Sequence, residues 1–257
     1  MARLSVGFVF GVLVLASVAR ADWIVTSSET ERADLVGFEH RRVALAENGT
    51  DERATLELAL FSTKSATLRV IDNPTGGDDL AAVMQRERCL AGVNGGYFDP
   101  ANAPVGLLIS DGKLVAPLQK ARLLSGVVSV VKGRLQIQRA GAFSLKEKPS
   151  AARQCGPFLV EGGRPLTGLN NTRSARRTFV LVGEKGRAAI GYASSVTLAE
   201  LGAVLATPGL TPDMKVQNAL NLDGGSSSGF WFAGAEGAFS IRERKTVRDY
   251  IGIVAKP

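Results

Sequence analysis

Two segments of the chain concentrate residue types able to do chemistry. Asn94-Gly95-Gly96-Tyr97-Phe98-Asp99 and Asn221-Leu222-Asp223-Gly224-Gly225-Ser226-Ser227 each place an Asn and an Asp beside paired glycines. Paired glycines let a backbone turn sharply and approach a ligand closely, presenting N–H groups to anionic oxygen. A carboxamide can hold sugar hydroxyls or phosphate oxygens, and a carboxylate can act as acid, base or nucleophile. The competing reading is two tight turns whose Asn and Asp cap their own backbone. A third polar segment, Asn171 to Thr178, contains Arg173, whose guanidinium could grip a phosphate through two parallel hydrogen bonds. Arg176 and Arg177 in the same segment read as solvated surface.

What is missing narrows the chemistry further. The chain has one histidine, His40, and two cysteines. Multi-histidine zinc sites, Cys-rich metal sites and Cys/His nucleophile pairs are therefore poor expectations. No Walker sequence and no dinucleotide-binding glycine fingerprint is present. Gly225-Ser226-Ser227-Ser228-Gly229 formally matches a nucleophile elbow. An elbow should enter a helix and be followed by a histidine. Here a strand-like Phe230-Trp231-Phe232 follows, and the single histidine lies far upstream.

Both glycine-rich segments leave apolar strands, Leu90 to Val93 and Asn218 to Leu222. Alternating, branched stretches predict further strands over Thr55 to Phe61, Ala66 to Ile71, Gly106 to Ser110, Gly126 to Val131, Leu135 to Arg139, Phe158 to Glu161, Thr178 to Gly183, Ala188 to Ala193, Gly229 to Phe232 and Tyr250 to Val254. Helical spacing of Leu80, Val83 and Met84 predicts a helix within Asp78 to Arg88. Thr197 with Glu200 forms a capping-box pattern ahead of Leu198 to Leu205. Many strands with two clear helices predict an α+β fold: mixed or antiparallel sheets with a few flanking helices in a single compact domain.

The N-terminus reads as a signal peptide over residues 1–21. Arg3 precedes an apolar run from Leu4 to Val18, which is short for a membrane span and ends in Ala19-Arg20-Ala21. Residues 22–257 would then be a periplasmic or secreted domain with no stable membrane insertion. In an oxidising compartment, a disulfide between Cys89 and Cys155 is expected. The formal charge is +7, but the basic residues are scattered without interleaved aromatics, so nucleic acid is not an expected partner.

Taken in order, Asn94-Gly95-Gly96-Tyr97-Phe98, Gly156-Pro157-x-Leu159, Arg173-Ser174-Ala175 and Asn221-Leu222-Asp223-Gly224-Gly225-x-Ser227 resemble the phosphodiester glycosidase family, which includes the lysosomal uncovering enzyme. The likeness spans roughly Ala66 to Val254, and Arg244 to Val254 is similar to the family's last strand. It implies hydrolysis of the glycosidic bond of a sugar phosphodiester, with a sugar phosphodiester or envelope glycan as substrate, without a cofactor. On that footing Asp223 is the leading catalytic carboxylate and Asp99 the second. Arg173 and the amides of Gly95, Gly96, Gly224 and Gly225 would hold phosphate, Asn94 and Asn221 would orient substrate, and Ser227 would join the same pocket. The chain departs from the family pattern at Ser226, where a glycine is usual, at Ser174, where Thr is usual, and at Arg176-Arg177, where Ile-Gly is common.

Two other functions fit the same residues. One is a non-catalytic periplasmic protein that binds sugar phosphates or envelope polysaccharide. The other is a phosphodiesterase using Asp99, Asn221 and Asp223 as oxygen ligands for Mg²⁺ or Ca²⁺.

Overall fold

The computed structural model describes residues 23–256, apart from Asp34, Pro208 and Pro212. The expected signal peptide therefore lies outside the described residues. Among those described, no helix is long and apolar enough to cross a membrane.

Three antiparallel sheets dominate. The largest runs, in spatial order, Trp23–Arg32, Glu39–Glu47, Arg53–Ser62, Arg187–Val196, Ala175–Gly183, Val216–Asn221, Phe158–Glu161 and Arg164–Pro165. A second holds Lys113–Ala116, Leu108–Ser110, Ala151–Cys155, Gly126–Val131 and Arg134–Arg139. A third holds Gly237–Ile241, Phe230–Gly234, Ala91–Asn94, Asp249–Ala255 and Ala66–Asp72. The expected antiparallel sheets are present with two α-helices among the described residues, but strands dominate so heavily that the α+β class itself is not plain. The predicted strands at both glycine-rich exits are present. The first N-terminal strand is not evident in the sequence, because every residue of Thr26–Arg32 is polar or charged.

Strand alternation explains how one sheet serves two cores. Along Arg53–Ser62, Ala59 and Phe61 face a cluster shared with Val93, Val128, Cys155 and Ile251, which come from the other two sheets. Leu56, Leu58 and Leu60 face the opposite way, against Leu201, Val204 and Leu205 of a helix. That helix, Leu198–Leu205, starts at the predicted capping box: Thr197 Oγ1 accepts from Glu200 N at 3.2 Å, and Glu200 Oε2 accepts from Thr197 N at 2.7 Å. The other helix, Leu80–Arg86, buries Leu80, Val83 and Met84 and is capped by Asp79, whose Oδ1 accepts from Ala82 N at 2.9 Å.

The expected disulfide is absent. Cys89 and Cys155 are buried free thiols in different apolar clusters, and burial raises them to about 11 and about 12 respectively.

Candidate active site

The two glycine-rich exits belong to different sheets and meet end to end. Asp223 N donates to Gly95 O at 3.1 Å, and Asn94 Nδ2 donates to Asp223 O at 2.8 Å. Thr178 Oγ1 lies 2.8 Å from both Asn94 Oδ1 and Asp223 O. Gly229 N also donates to Asn94 Oδ1, at 3.3 Å. Asn94 is buried, and its carboxamide is consumed in joining the two loops. Asn221 is buried as well, its Nδ2 donating to Gly156 O at 2.9 Å and Leu222 O at 2.6 Å. Both asparagines thus hold the loops in place, although Asn221 Oδ1 is left without a partner.

The amides of Gly95 and Gly96 are likewise committed. Gly95 N donates to Asp249 O at 2.7 Å, and Gly96 N donates to Asp249 Oδ1 at 3.1 Å. Asp249 and Arg153 are both fully buried and paired, with Arg153 Nε 2.9 Å from Asp249 Oδ1. The remaining Arg153 donors reach the carbonyls of Tyr97 at 2.7 Å, Val105 at 3.0 Å and Gln154 at 3.1 Å. An uncompensated charge here would be very costly, but this one is paired and almost saturated with hydrogen bonds. The glycines make the pair fit. A Cβ on Gly95 would lie 1.7 Å from Asp249 Oδ1, and one on Gly96 would lie 2.4 Å from Arg153 Cζ. This glycine pair accommodates a buried ion pair and does not cradle phosphate.

Asp223 stands above this floor, half-buried, with Oδ1 accepting from Gly224 N at 2.9 Å. Burial pushes its carboxyl above the ordinary carboxylate value; the Ser227 hydroxyl, the Gly224 N–H and Lys245 pull it back, and Asp249 adds to the rise. Ser227 is buried at its side, although its Oγ makes no well-aligned hydrogen bond. The Gly224 amide is thus spent on Asp223, whereas the Gly225 N–H, at the start of a 3₁₀ turn over Gly225–Ser227, has no such internal commitment. That turn enters the strand Phe230–Gly234, and His40 pairs with Glu57 at 2.8 Å, so the elbow match in this loop is coincidental.

Cations lie near the loop that carries Asp223. Arg177 Nη1 lies 3.3 Å from where a Gly224 Cβ would stand. Its Nη2 donates to Arg173 O at 2.8 Å and its Nε to Val196 O at 3.3 Å. Burial depresses the Arg177 guanidinium below its usual value, Tyr97 opposing the fall and Arg173 adding to it. Lys245 acts on Asp223 electrostatically and packs 4.7 Å from the centroid of Phe98. Among the described residues, Arg173, Arg177 and Lys245 have no carboxylate within salt-bridge distance. Arg173 is exposed. The solvated reading of Arg176 and Arg177 is corrected: Arg176 donates to Ser228 O and Arg242 O and lies 5.3 Å from the centroid of Tyr192, tying the loop down.

Asp99 is placed differently. Its Oδ1 accepts from Ala101 N at 2.9 Å and Ala103 N at 2.8 Å, so it caps its own turn. No group of three or more His, Cys, Asp or Glu side chains among the described residues is arranged to share a metal ion. Arg153, Asp249, Arg177 and Lys245 were not predicted as site residues. Only the strict need for glycine at 95 and 96 hinted at a crowded floor.

The sequence model of the phosphodiester glycosidase family matches residues 87–254, and the chain belongs to that family. No curated protein matches it in sequence. Among solved structures it is similar to the catalytic domain of zebrafish N-acetylglucosamine-1-phosphodiester alpha-N-acetylglucosaminidase, auto-inhibited by its pro-peptide, with a TM-score of 0.67 at 16% identity, over 91% of this chain and 89% of that one. It is also similar to a Synechocystis protein (TM-score 0.59, 15% identity, 86% of this chain and 62% of the other). A Burkholderia pseudomallei K96243 protein matches with a TM-score of 0.56 at 13% identity, over 82% and 76% of the two chains.

Proposed function

We propose that this protein is an exported hydrolase, periplasmic or secreted, that cleaves the glycosidic bond of a sugar phosphodiester. The observation that carries the reading is one half-buried carboxylate, Asp223, at the junction of the two strand exits, with Lys245 acting on it and Arg177 beside the adjoining Gly224. Family membership supports the reaction class.

In the reaction, the oxygen of water forms a bond to the anomeric carbon as the bond from that carbon to the phosphate-bound oxygen breaks. The electron pair leaves on a phosphomonoester, and the water's proton passes to base. A phosphomonoester leaves readily, so the demand falls on stabilising anionic charge at phosphate and positive charge at the sugar. Asp223 faces the sugar as base or nucleophile. Arg173, Arg177 and Lys245, with the Gly225 N–H, face the phosphate. The Arg153–Asp249 pair positions these groups without touching substrate.

The test is hydrolysis of a chromogenic phosphodiester of N-acetylglucosamine 1-phosphate, the chemistry named for the zebrafish neighbour, with and without chelator. Free sugar and a phosphomonoester, produced equally with chelator, are expected. A phosphorylated sugar as product, or dependence on Mg²⁺ or Ca²⁺, would reassign the protein as a metal-dependent phosphodiesterase. Stabilisation by the substrate without turnover would make it a binding protein.

A further inference from the structure

Lys245 is placed by its backbone and by one aromatic ring. Arg244 N donates to Ser226 O at 2.7 Å, and Arg242 O accepts from Arg176 Nη2 at 2.8 Å. Between them Glu243 is buried, its Oε1 accepting from Leu80 N at 2.7 Å. The residues before Lys245 are thus tied to the loop of Asp223 and to the helix Leu80–Arg86. The Lys245 side chain itself is exposed, and its four-carbon stem has many rotamers open to it. Its Nζ nonetheless lies 4.7 Å from the centroid of the Phe98 ring.

Phe98 is fixed in its turn. It packs beside the buried cluster that holds Leu80, Trp231 and Tyr250, and its backbone bridges to Pro104. Asp99 Oδ1 closes the intervening turn by accepting from Ala101 N at 2.9 Å and Ala103 N at 2.8 Å. The ring therefore presents a settled face, whose negative π-cloud attracts a cation. That attraction is modest at an exposed site, but it selects among the rotamers of a side chain whose backbone is already in place.

We propose that Phe98 is a positioning residue for the hydrolysis: its ring holds the Lys245 ammonium beside the loop that carries Asp223, where that ammonium meets the scissile phosphate. This inference rests on the proposed hydrolase function. Asp223 is faced by the Ser227 hydroxyl and the Gly224 N–H of its own loop, by Lys245, by Asp249 already paired with Arg153, and by the Tyr97 phenol and the Cys155 thiol. Of these, Lys245 alone is a cation, so letting it swing away raises the Asp223 carboxyl further. Phe98 acts through Lys245, without itself meeting the reacting atoms.

The experiment measures kcat/KM against pH on the chromogenic phosphodiester of N-acetylglucosamine 1-phosphate for the parent, Phe98→Leu, Phe98→Tyr, Lys245→Ala and the double variant of Phe98→Leu with Lys245→Ala. Phe98→Leu should lose about threefold and Lys245→Ala about tenfold, the scale of one exposed cation–π contact and of one charge-assisted contact. The acid limb should move to higher pH in both, and less in Phe98→Leu. Phe98→Tyr keeps a ring and should recover most of the loss. In the Lys245→Ala background, Phe98→Leu should change kcat/KM by less than about 1.5-fold, because the two residues act as one unit. An unmoved acid limb in Phe98→Leu, an equal loss in Phe98→Tyr, or an undiminished loss in the Lys245→Ala background overturns the inference and leaves the hydrolase reading standing. If the parent shows no turnover, the hydrolase reading fails on that sugar, and lysine labelling by acetic anhydride decides the inference separately. Lys245 should acetylate about twofold faster or more in Phe98→Leu than in the parent and Phe98→Tyr, since the ring stabilises the unreactive ammonium; equal rates overturn it.

Discussion

Asp249 Oδ1 receives Arg153 Nε at 2.9 Å and the Gly96 amide at 3.1 Å, so one carboxylate oxygen joins a buried cation to the loop that opens the site. Both side chains are inaccessible to solvent, and the pair links the second sheet to the third. Removing either partner strands a charge. Arg153→Met or Asp249→Asn should destabilise the fold by about 3–5 kcal/mol. Replacing both with apolar residues should recover part of that loss, as urea unfolding of the three variants would reveal.

The glycines of the two exits should respond differently to alanine. At Gly96 the added methyl collides with the Arg153 guanidinium, at 2.4 Å. Gly225 has open space around it but a φ of 69°. Gly96→Ala should cost at least about 1–3 kcal/mol and disturb the floor, whereas Gly225→Ala should cost about 1–2 kcal/mol from backbone strain alone. Melting curves would separate them, and a Gly96→Ala protein as stable as the parent would contradict the packing.

Asp223→Asn should fold and lose roughly 10²–10⁴-fold in kcat, the span supplied by a positioned acid or base. Because the carboxyl is raised and must be ionised to act as base or nucleophile, activity in the parent should fall on the acid side from above the ordinary carboxylate range. Lys245 favours the ionised form, so Lys245→Ala should move that acid limb to higher pH. An unmoved limb would separate Lys245 from Asp223.

The same raised carboxyl affects stability with a definite sign. A folded state that holds its proton more tightly than the unfolded chain gains stability at low pH and loses it as pH rises through the raised value. Asp223→Asn removes the ionisation, so it should melt above the parent at pH 7 and converge with it only below the ordinary carboxylate value, where the folded and unfolded carboxyls are both protonated. Calorimetry across that range checks the crossover.

With both cysteines reduced and buried, a thiol reagent should find two thiols in denaturant and almost none in the native protein. Reductant should leave the melting temperature unchanged.

The sequence carries some of these features locally and conceals others. The capping box at Thr197 and Glu200 and the strand exits at Asn94 and Asn221 each rest on neighbouring residues. The Arg153–Asp249 pair does not: the partners lie in strands of different sheets, and Arg153 sits in Ala151–Cys155, where every residue is buried. Local patterning gives no reason to bury an arginine. Arg177 was misread because its position beside Gly224 depends on a chain reversal brought by the strand Val216–Asn221. The partners of the Asn94, Asn221, Gly95 and Gly96 amides are likewise illegible in the sequence, since an amide's partner is a matter of tertiary packing.

The locked floor beneath Asp223 has a consequence for descent. Asn94, Arg153 and Asp249 each satisfy several partners at once, so a change at any one must be matched elsewhere. Arg173 and Lys245 stand on exposed segments with few obligations to the interior. Lineages sharing this scaffold are free to exchange the rim while inheriting the floor, and substrate preference should drift faster than the geometry that presents Asp223.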